Sequence, residues 1–416
     1  MHRRVFQIAI LLVLQWVMVL GSWAEPAMAL TEEQKLLNEA WRIVNRSYVD
    51  DTFNHQNWRS IREQTIKAPL SDREQTYTAI QEMLANLDDP FTRLLKPEQY
   101  RSLQVNTSGE LTGVGLQIAI DPQTNTLTVI APIAGSPADK AGIQPLDRIL
   151  KIDGTPTSEL SLDEAATKMR GRAGTAVILT LGREGRESPQ DIELVRDRIA
   201  LNPVYAELQS GPENLPVGYI RLSQFSANAT AEVSNAIDRL EKQGAAAYIL
   251  DLRNNPGGLL QAGIEIARLW IDSGTIVYTV NRQGVLGSFD AYGQALTGDP
   301  LIVLVNKGTA SASEILAGAL QDNGRAQLVG EKTFGKGLIQ SLFDLSDGSG
   351  LAVTVAKYQT PNHTDIHKMG IAPDRVVPSE SMTRDQIGTE SDLQYQAALQ
   401  LLKQKTVMAR GIGQGA

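Results

Sequence analysis

The 416-residue chain contains no cysteine. A thiol nucleophile, a disulfide framework and a thiolate metal site are excluded at once. Histidine is scarce too, with four residues at positions 2, 55, 363 and 367. His363 and His367 stand four apart in "HTDIH", but the glutamate that H-E-x-x-H uses as general base is missing. The pair also falls between "YQTPN" and "KMGIAPD", a segment punctuated by proline and glycine. A loop is predicted there rather than a metal-binding helix, and no metal site is assigned. Runs of lysine and arginine are absent, and the formal net charge is −8, so nucleic acid is a poor partner.

What remains describes an ordinary globular protein. Apolar residues make up 42% and charged residues 21%, enough to bury a core over two or three domains. The first 29 residues differ from the rest. Arg3-Arg4 precedes a mostly apolar run from Val5 to Leu20, followed by Ala27-Met28-Ala29. That order predicts a signal peptide at 1–29, with an uncleaved anchor as the alternative. The twin arginines hint at one export route. Without this segment the chain keeps 37 basic and 46 acidic residues, so an exported, acidic protein is expected.

Residues 30–105 read as a helical region. Thr31-x-x-Gln34 is a capping box, and Leu37, Trp41, Val44 and Tyr48 make an apolar stripe. A second helix is predicted over about 73–87, broken by Pro90. From 106 to 197 short strands and turns take over: "ELTGVGLQIAI", "TLTVIAPI", "LDRILKIDG", "AVILTLGREG" and "DIELVRDRI", with short helices at "SPADKAGI" and "SLDEAATKMRG". "LNPVYAELQSGPENLPVG" reads as a connection. Beyond it apolar strands alternate with amphipathic helices, the pattern of a mostly parallel sheet covered by helices. Ligands of such sheets bind beyond the carboxyl ends of the strands, where "RNNPGG" and "NKGTASAS" fall.

"GEKTFGKGLIQ" comes close to a phosphate-binding loop, with Gly330, Gly335 and Lys336 in register. Yet Gly337 replaces the Ser or Thr that would hold Mg²⁺, and a strand follows where a helix is needed. No nucleotide is expected, and Lys336 is left without a role. Ser311, in "NKGTASASEIL", lies at a strand-to-helix turn between Ala310 and Ala312. Alone it is more readily a helix cap, since Glu314 completes a capping box. A hydroxyl nucleophile needs a base, and a lysine can serve if its amine is neutral. Bringing a lysine from pKa ~10.4 to ~7–8 requires burial worth about 4 kcal/mol. Phe334, Leu338 and Ile339 neighbour Lys336, while Gly335 and Gly337 leave room for another backbone.

"TASASEILAGALQDNGRAQLVGEKTFGKGLIQ" resembles the signature of the carboxyl-terminal processing (tail-specific) proteases, a Ser-Lys peptidase family with a PDZ domain. The resemblance implies Ser311 as nucleophile and Lys336, 25 residues on, as base. It implies Gln340 as the residue orienting the lysine, and the amides of Gly257 (in "DLRNNPGG") and Ala312 as oxyanion donors. Asp322, taken to lie mid-helix, is assigned structural support. "LTGVGLQIAI" with "SPADKAGIQPLDRILKIDG" resembles a PDZ domain, which implies capture of a free carboxyl terminus by Gly113, Val114, Gly115 and Leu116. A glycine usual in that segment is Leu146 here, which puts one turn's geometry in question. "EAWRIVNRSYVD" and "LDDPFTRLL" are most similar to the branch that trims a photosystem II reaction-centre precursor in the thylakoid lumen; a periplasmic paralogue is the alternative.

The expectation is a multidomain α/β protein. It has a helical amino-terminal region, a PDZ domain (106–197), an α/β peptidase domain with a mostly parallel sheet (198–403) and a flexible tail (404–416). It is expected to be a serine endopeptidase, without cofactor, that removes carboxyl-terminal extensions from protein substrates recognised through their free carboxyl terminus, a membrane-embedded substrate being allowed. The competing expectation is a non-catalytic PDZ peptide-binding protein.

Overall fold

The computed structural model describes residues 30–413, apart from 122–123, 125, 134, 184, 186–187, 379–381 and 383–385. The expected signal segment lies outside the described residues. The chain divides into two compact units, one within Met1–Lys96 and Leu342–Val353, the other comprising Pro97–Ser341 and Thr354–Ala416.

In the first unit α1 (Glu32–Ser47) starts at Thr31, whose side chain accepts from the Gln34 amide while the Gln34 side chain caps Thr31 in return. Leu37 and Val44 are fully buried and Tyr48 nearly so, as the stripe predicts. Trp41 is half-buried and donates its Nε1 proton to the Trp58 carbonyl at 3.0 Å. The sequence reading overlooked α2 (Trp58–Thr65), an eight-residue helix capped by Asn57. α3 (Arg73–Ala85) is capped by Asp72, and β1 (Arg93–Leu95) pairs antiparallel with residues 350–352.

The second unit opens with α4 (Pro97–Ser108). The run "ELTGVGLQIAI" breaks at Val114-Gly115 into β2 (Glu110–Gly113) and β3 (Leu116–Ile120). There follow β4 (Leu127–Pro132), α5 (Pro137–Lys140), β5 (Arg148–Ile152), β6 (Thr155–Pro156), α6 (Leu162–Met169), β7 (Ala176–Gly182), β8 (Gln190–Val195) and β9 (Asp197–Ala200). The sheet runs β3-β4-β5-β7-β8, which leaves β3 as an edge strand with α6 packed beside it. Val129, Ile149, Ile152, Val177 and Leu179 fill its core. Leu146 takes φ 71° with its side chain exposed, so a leucine does occupy the left-handed turn.

The "LNPVYAELQSGPENLPVG" segment is not merely a connection. It contains β10 (Val204–Ser210), paired antiparallel with β11 (Pro216–Leu222) from Val204↔Leu222 to Ser210↔Pro216. Its burial alternates weakly because it is an edge, which hid it from a search for continuous apolar runs. The rest follows as α7 (Ala229–Lys242), β12 (Ala247–Asp251), α8 (Leu260–Arg268), β13 (Ser273–Asn281), β14 (Gly284–Tyr292), β15 (Leu301–Val305), α9 (Ala312–Asp322), β16 (Ala326–Gly330), β17 (Leu338–Asp344), β18 (Gly350–Gln359), β19 (Arg375–Val376) and α10 (Leu393–Gly413). The main sheet has the order β10-β11-β12-β15-β16-β19, and every pairing from β11 onward is parallel. β12 and β15 are buried throughout, which is why they read as continuous apolar runs. One face carries α7, α8 and α9; the other is covered by α10 through Tyr395, Ala398 and Leu402. α10 continues to Gly413, so residues 404–413 of the segment expected as a tail are helical.

A buried ion network joins α10 to the end of β12. Arg253 donates to Asp251 and, through Nη1 and Nη2, to Asp392 at 2.8 and 2.7 Å. Asp392 also accepts the amides of Gly388 and Tyr395. Burial alone would raise the Asp392 pKa, but the Arg253 hydrogen bonds and charge outweigh it and hold the carboxyl below its ordinary value. A depressed pKa contributes stability above the unfolded value, ~3.9, and loses it as pH falls through the folded value. Denaturation midpoints should therefore fall on acidification below about pH 4. Asp392→Asn should start about 1–3 kcal/mol less stable, because Arg253 keeps Asp251 but loses its second buried carboxylate, and should lose less further stability on acidification. Parallel urea titrations of the two proteins between neutral and acid pH check this.

Candidate active site

β12, β15 and β16 are adjacent and parallel, so the loops after Asp251, Val305 and Gly330 emerge at one edge of the sheet. Those loops carry Gly257, Ser311 and Lys336. Ser311 immediately precedes α9 with φ 59° and ψ −119°, a region a residue with a Cβ seldom occupies. Such a conformation persists only where surrounding contacts impose it, and it turns a strand abruptly into a helix.

The contacts that impose it converge on Glu314, whose carboxylate is fully buried. Its Oε2 accepts the Ser311 amide at 2.9 Å and the Lys336 amide at 2.8 Å, and Oε1 accepts the Gly335 amide at 2.7 Å. The Thr333 hydroxyl donates to the same carboxylate. The capping-box reading of Glu314 thus captured one bond of four. The other three reach the lysine loop, about twenty residues away, and tie the backbones of Ser311 and Lys336 to one anion. The Tyr358 hydroxyl meets the carbonyl oxygens of both residues.

Lys336 itself is half-buried. Of its expected apolar neighbours Leu338 is buried, whereas Phe334 is 60% exposed and gives little shielding. The flanking glycines do admit another backbone. A Cβ on Gly335 would lie 3.0 Å from the Gly370 nitrogen, and one on Gly337 would lie 2.5 Å from the His367 nitrogen. The Lys368 amide donates to the Gly335 carbonyl at 2.8 Å. The "HTDIHKMG" loop therefore packs on the lysine loop by its backbone. The His363 ring stacks on Tyr278, and among the described residues no cluster of metal-ligating side chains exists.

Gln340 lies on β17 and donates Nε2 to Thr354 Oγ1 at 3.4 Å, a weak bond. Gly257 (φ 94°) sits against the Ser311 turn: a Cβ there would fall 2.8 Å from Ser311 Cβ and 2.9 Å from the Ala312 nitrogen. The missing side chain keeps open the space before the first amide of α9. The Gly257 amide donates to Asn255 Oδ1 at 2.9 Å, so an oxyanion role requires it to share or release that bond. Asp322 is not mid-helix but the last residue of α9, where Oδ2 accepts the Asn362 amide at 2.9 Å.

The expected carboxylate-binding loop lies at the β2–β3 break, remote in sequence from this edge. Val114 is buried and its carbonyl accepts the Ala138 amide; the Gly115 carbonyl accepts the Ile133 amide and the Ser136 hydroxyl. Gly115 (φ 80°) could carry no side chain, because a Cβ would lie 2.3 Å from Ser136 Cβ. Gly113 bridges to Arg170 at the end of α6, and Leu116 begins the edge strand β3.

The chain is similar to known proteins. A profile of peptidase family S41 matches residues 216–377, and a PDZ-domain profile matches residues 128–183. A carboxyl-terminal-processing protease of Synechocystis sp. is 63% identical over 400 residues, covering 96% of this chain and 93% of its own. The chain belongs to the carboxyl-terminal-processing proteases of family S41. It is accordingly a serine-type peptidase. Within this family the chain is also similar to the chloroplastic carboxyl-terminal-processing peptidase 2 of Arabidopsis thaliana, 47% identical over 91% of this chain and 75% of that one. A solved structure described as a photosystem II D1 C-terminal processing protease is 43% identical, covers 87% of this chain and 98% of its own, and superposes with a TM-score of 0.56.

Proposed function

We propose that the protease is exported to the thylakoid lumen or periplasm, and that it removes the carboxyl-terminal extension of the photosystem II D1 precursor. The observation that carries this reading is the 43% identity to a D1 processing protease across 87% of the chain. In the proposed reaction Lys336 accepts the Ser311 proton as Oγ attacks the scissile carbonyl. The leaving amine then takes that proton, and water hydrolyses the acyl-enzyme. Ala312 and a shared Gly257 amide stabilise the oxyanion, and Gln340 orients the lysine amine. The PDZ loop Gly113–Leu116 takes the substrate's terminal carboxylate while the substrate chain adds to the open edge of β3. No cofactor enters any step.

A free carboxylate bound by backbone amides cannot be replaced by an amide without losing charge-assisted hydrogen bonds. Amidating the carboxyl terminus of a D1-precursor peptide should lower kcat/KM about tenfold or more while leaving cleavage detectable by product mass. Equal rates for acid and amide would remove the PDZ loop from substrate recognition. Failure to cleave the D1 sequence, with other tails cleaved, would remove the substrate assignment.

A further inference from the structure

We propose that Tyr358 is a positioning residue for the catalytic pair, its single hydroxyl holding the carbonyl groups of Ser311 and Lys336 at a set separation. Tyr358 stands on β18 and is 1% exposed. Its Oη lies 3.0 Å from the Ser311 carbonyl oxygen and donates to that of Lys336 as well. The Tyr358 amide donates to the Gly337 carbonyl at 3.1 Å, so the lysine loop is held to β18 by backbone as well.

The geometry has two sides. Glu314 gathers the N–H groups of Ser311 and Lys336, and Tyr358 gathers their C=O groups. Each peptide flank of the two residues is therefore tied to a buried side chain that belongs to neither loop. One O–H shared between two carbonyls keeps two like dipoles close that would otherwise repel. Burial, and then the charge of Glu314, hold the hydroxyl protonated well beyond the ordinary tyrosine range, so it remains a donor wherever the enzyme works. A proton transfer between Ser311 Oγ and Lys336 Nζ needs both side chains in register. Small displacements of catalytic groups cost rate steeply.

This inference rests on the Ser311–Lys336 reading of the site, and the test separates the two. Tyr358→Phe keeps the ring in the core and deletes only the hydroxyl. Expected is a fall in kcat of about 10- to 100-fold with KM for the peptide unchanged, and a melting temperature lowered by only a few degrees. The rate of covalent labelling by a small phosphonate, which reports Ser311 reactivity without PDZ recognition, should fall in parallel. Ser311→Ala is measured beside it. An active Ser311→Ala enzyme would defeat the site assignment. An inactive one, together with Tyr358→Phe at wild-type kcat and labelling rate, would defeat the Tyr358 role alone. If Tyr358→Phe instead loses its cooperative melt, or raises KM as much as it lowers kcat, the hydroxyl serves general stability and the positioning role is overturned.

Discussion

Ser311→Ala and Lys336→Ala are each expected to reduce peptide hydrolysis by at least about 10³-fold while leaving the fold intact. The second half of that expectation comes from the structure. Glu314 binds the amides of Ser311 and Lys336, and Tyr358 meets their carbonyls, so these four contacts involve the side chain of neither Ser311 nor Lys336. Alanine at either position keeps every one of them. Circular dichroism and melting curves should match wild type within about 1 kcal/mol, the scale of a lost cap. Lys336→Arg should be as inactive as alanine, because a guanidinium stays protonated and cannot accept the serine proton. An arginine variant with measurable turnover would end the general-base role of Lys336. The same assays with His363→Ala and His367→Ala should give near wild-type activity; loss of activity only there would move the base to a histidine.

Gly257→Ala is expected to lower kcat by about 10²–10³-fold, the usual cost of disabling an oxyanion site. The added methyl would meet the Ala310 carbonyl oxygen at 2.7 Å, Ser311 Cβ at 2.8 Å and the Ala312 nitrogen at 2.9 Å. These atoms are main chain or the Cβ of Ser311, so none can swing aside. The residue would also be held at φ 94°, a strain of roughly 1–2 kcal/mol for a residue with a Cβ. Gly244→Ala separates strain from obstruction. Gly244 has φ 90° but open space around it, so its variant should lose stability and keep its kcat. Equal kcat losses in the two variants would show that Gly257 matters only as a turn former.

Much of this protein can be read locally. The capping box at Thr31 and Gln34 and the continuous apolar strands β12 and β15 are each written within a few residues of chain. Periodicity and turn chemistry report such features directly. Motif spacing carried the family resemblance, and with it Ser311, Lys336 and the "DLRNNPGG" loop. β10 was missed because an edge strand buries only part of one face, and its partner β11 identifies it only once paired.

The site divides in the same way. Sequence alone determined which groups are candidates for the chemistry: a serine ahead of a helix, a lysine between glycines, no cysteine and no H-E-x-x-H motif. Tertiary structure decided how those groups are held. Glu314 looks like a cap in sequence, because its bond to Ser311 spans three residues while its bonds to Thr333, Gly335 and Lys336 span 19 to 22. Tyr358 reads as one more apolar position of a buried strand, and nothing within the strand marks its hydroxyl as shared between residues 22 and 47 positions away. A hydrogen bond across such distances exists only after the parallel sheet has brought the ends of β12, β15 and β16 to one edge. Local pattern records what each segment prefers, and it holds no information about which distant backbone will arrive beside it.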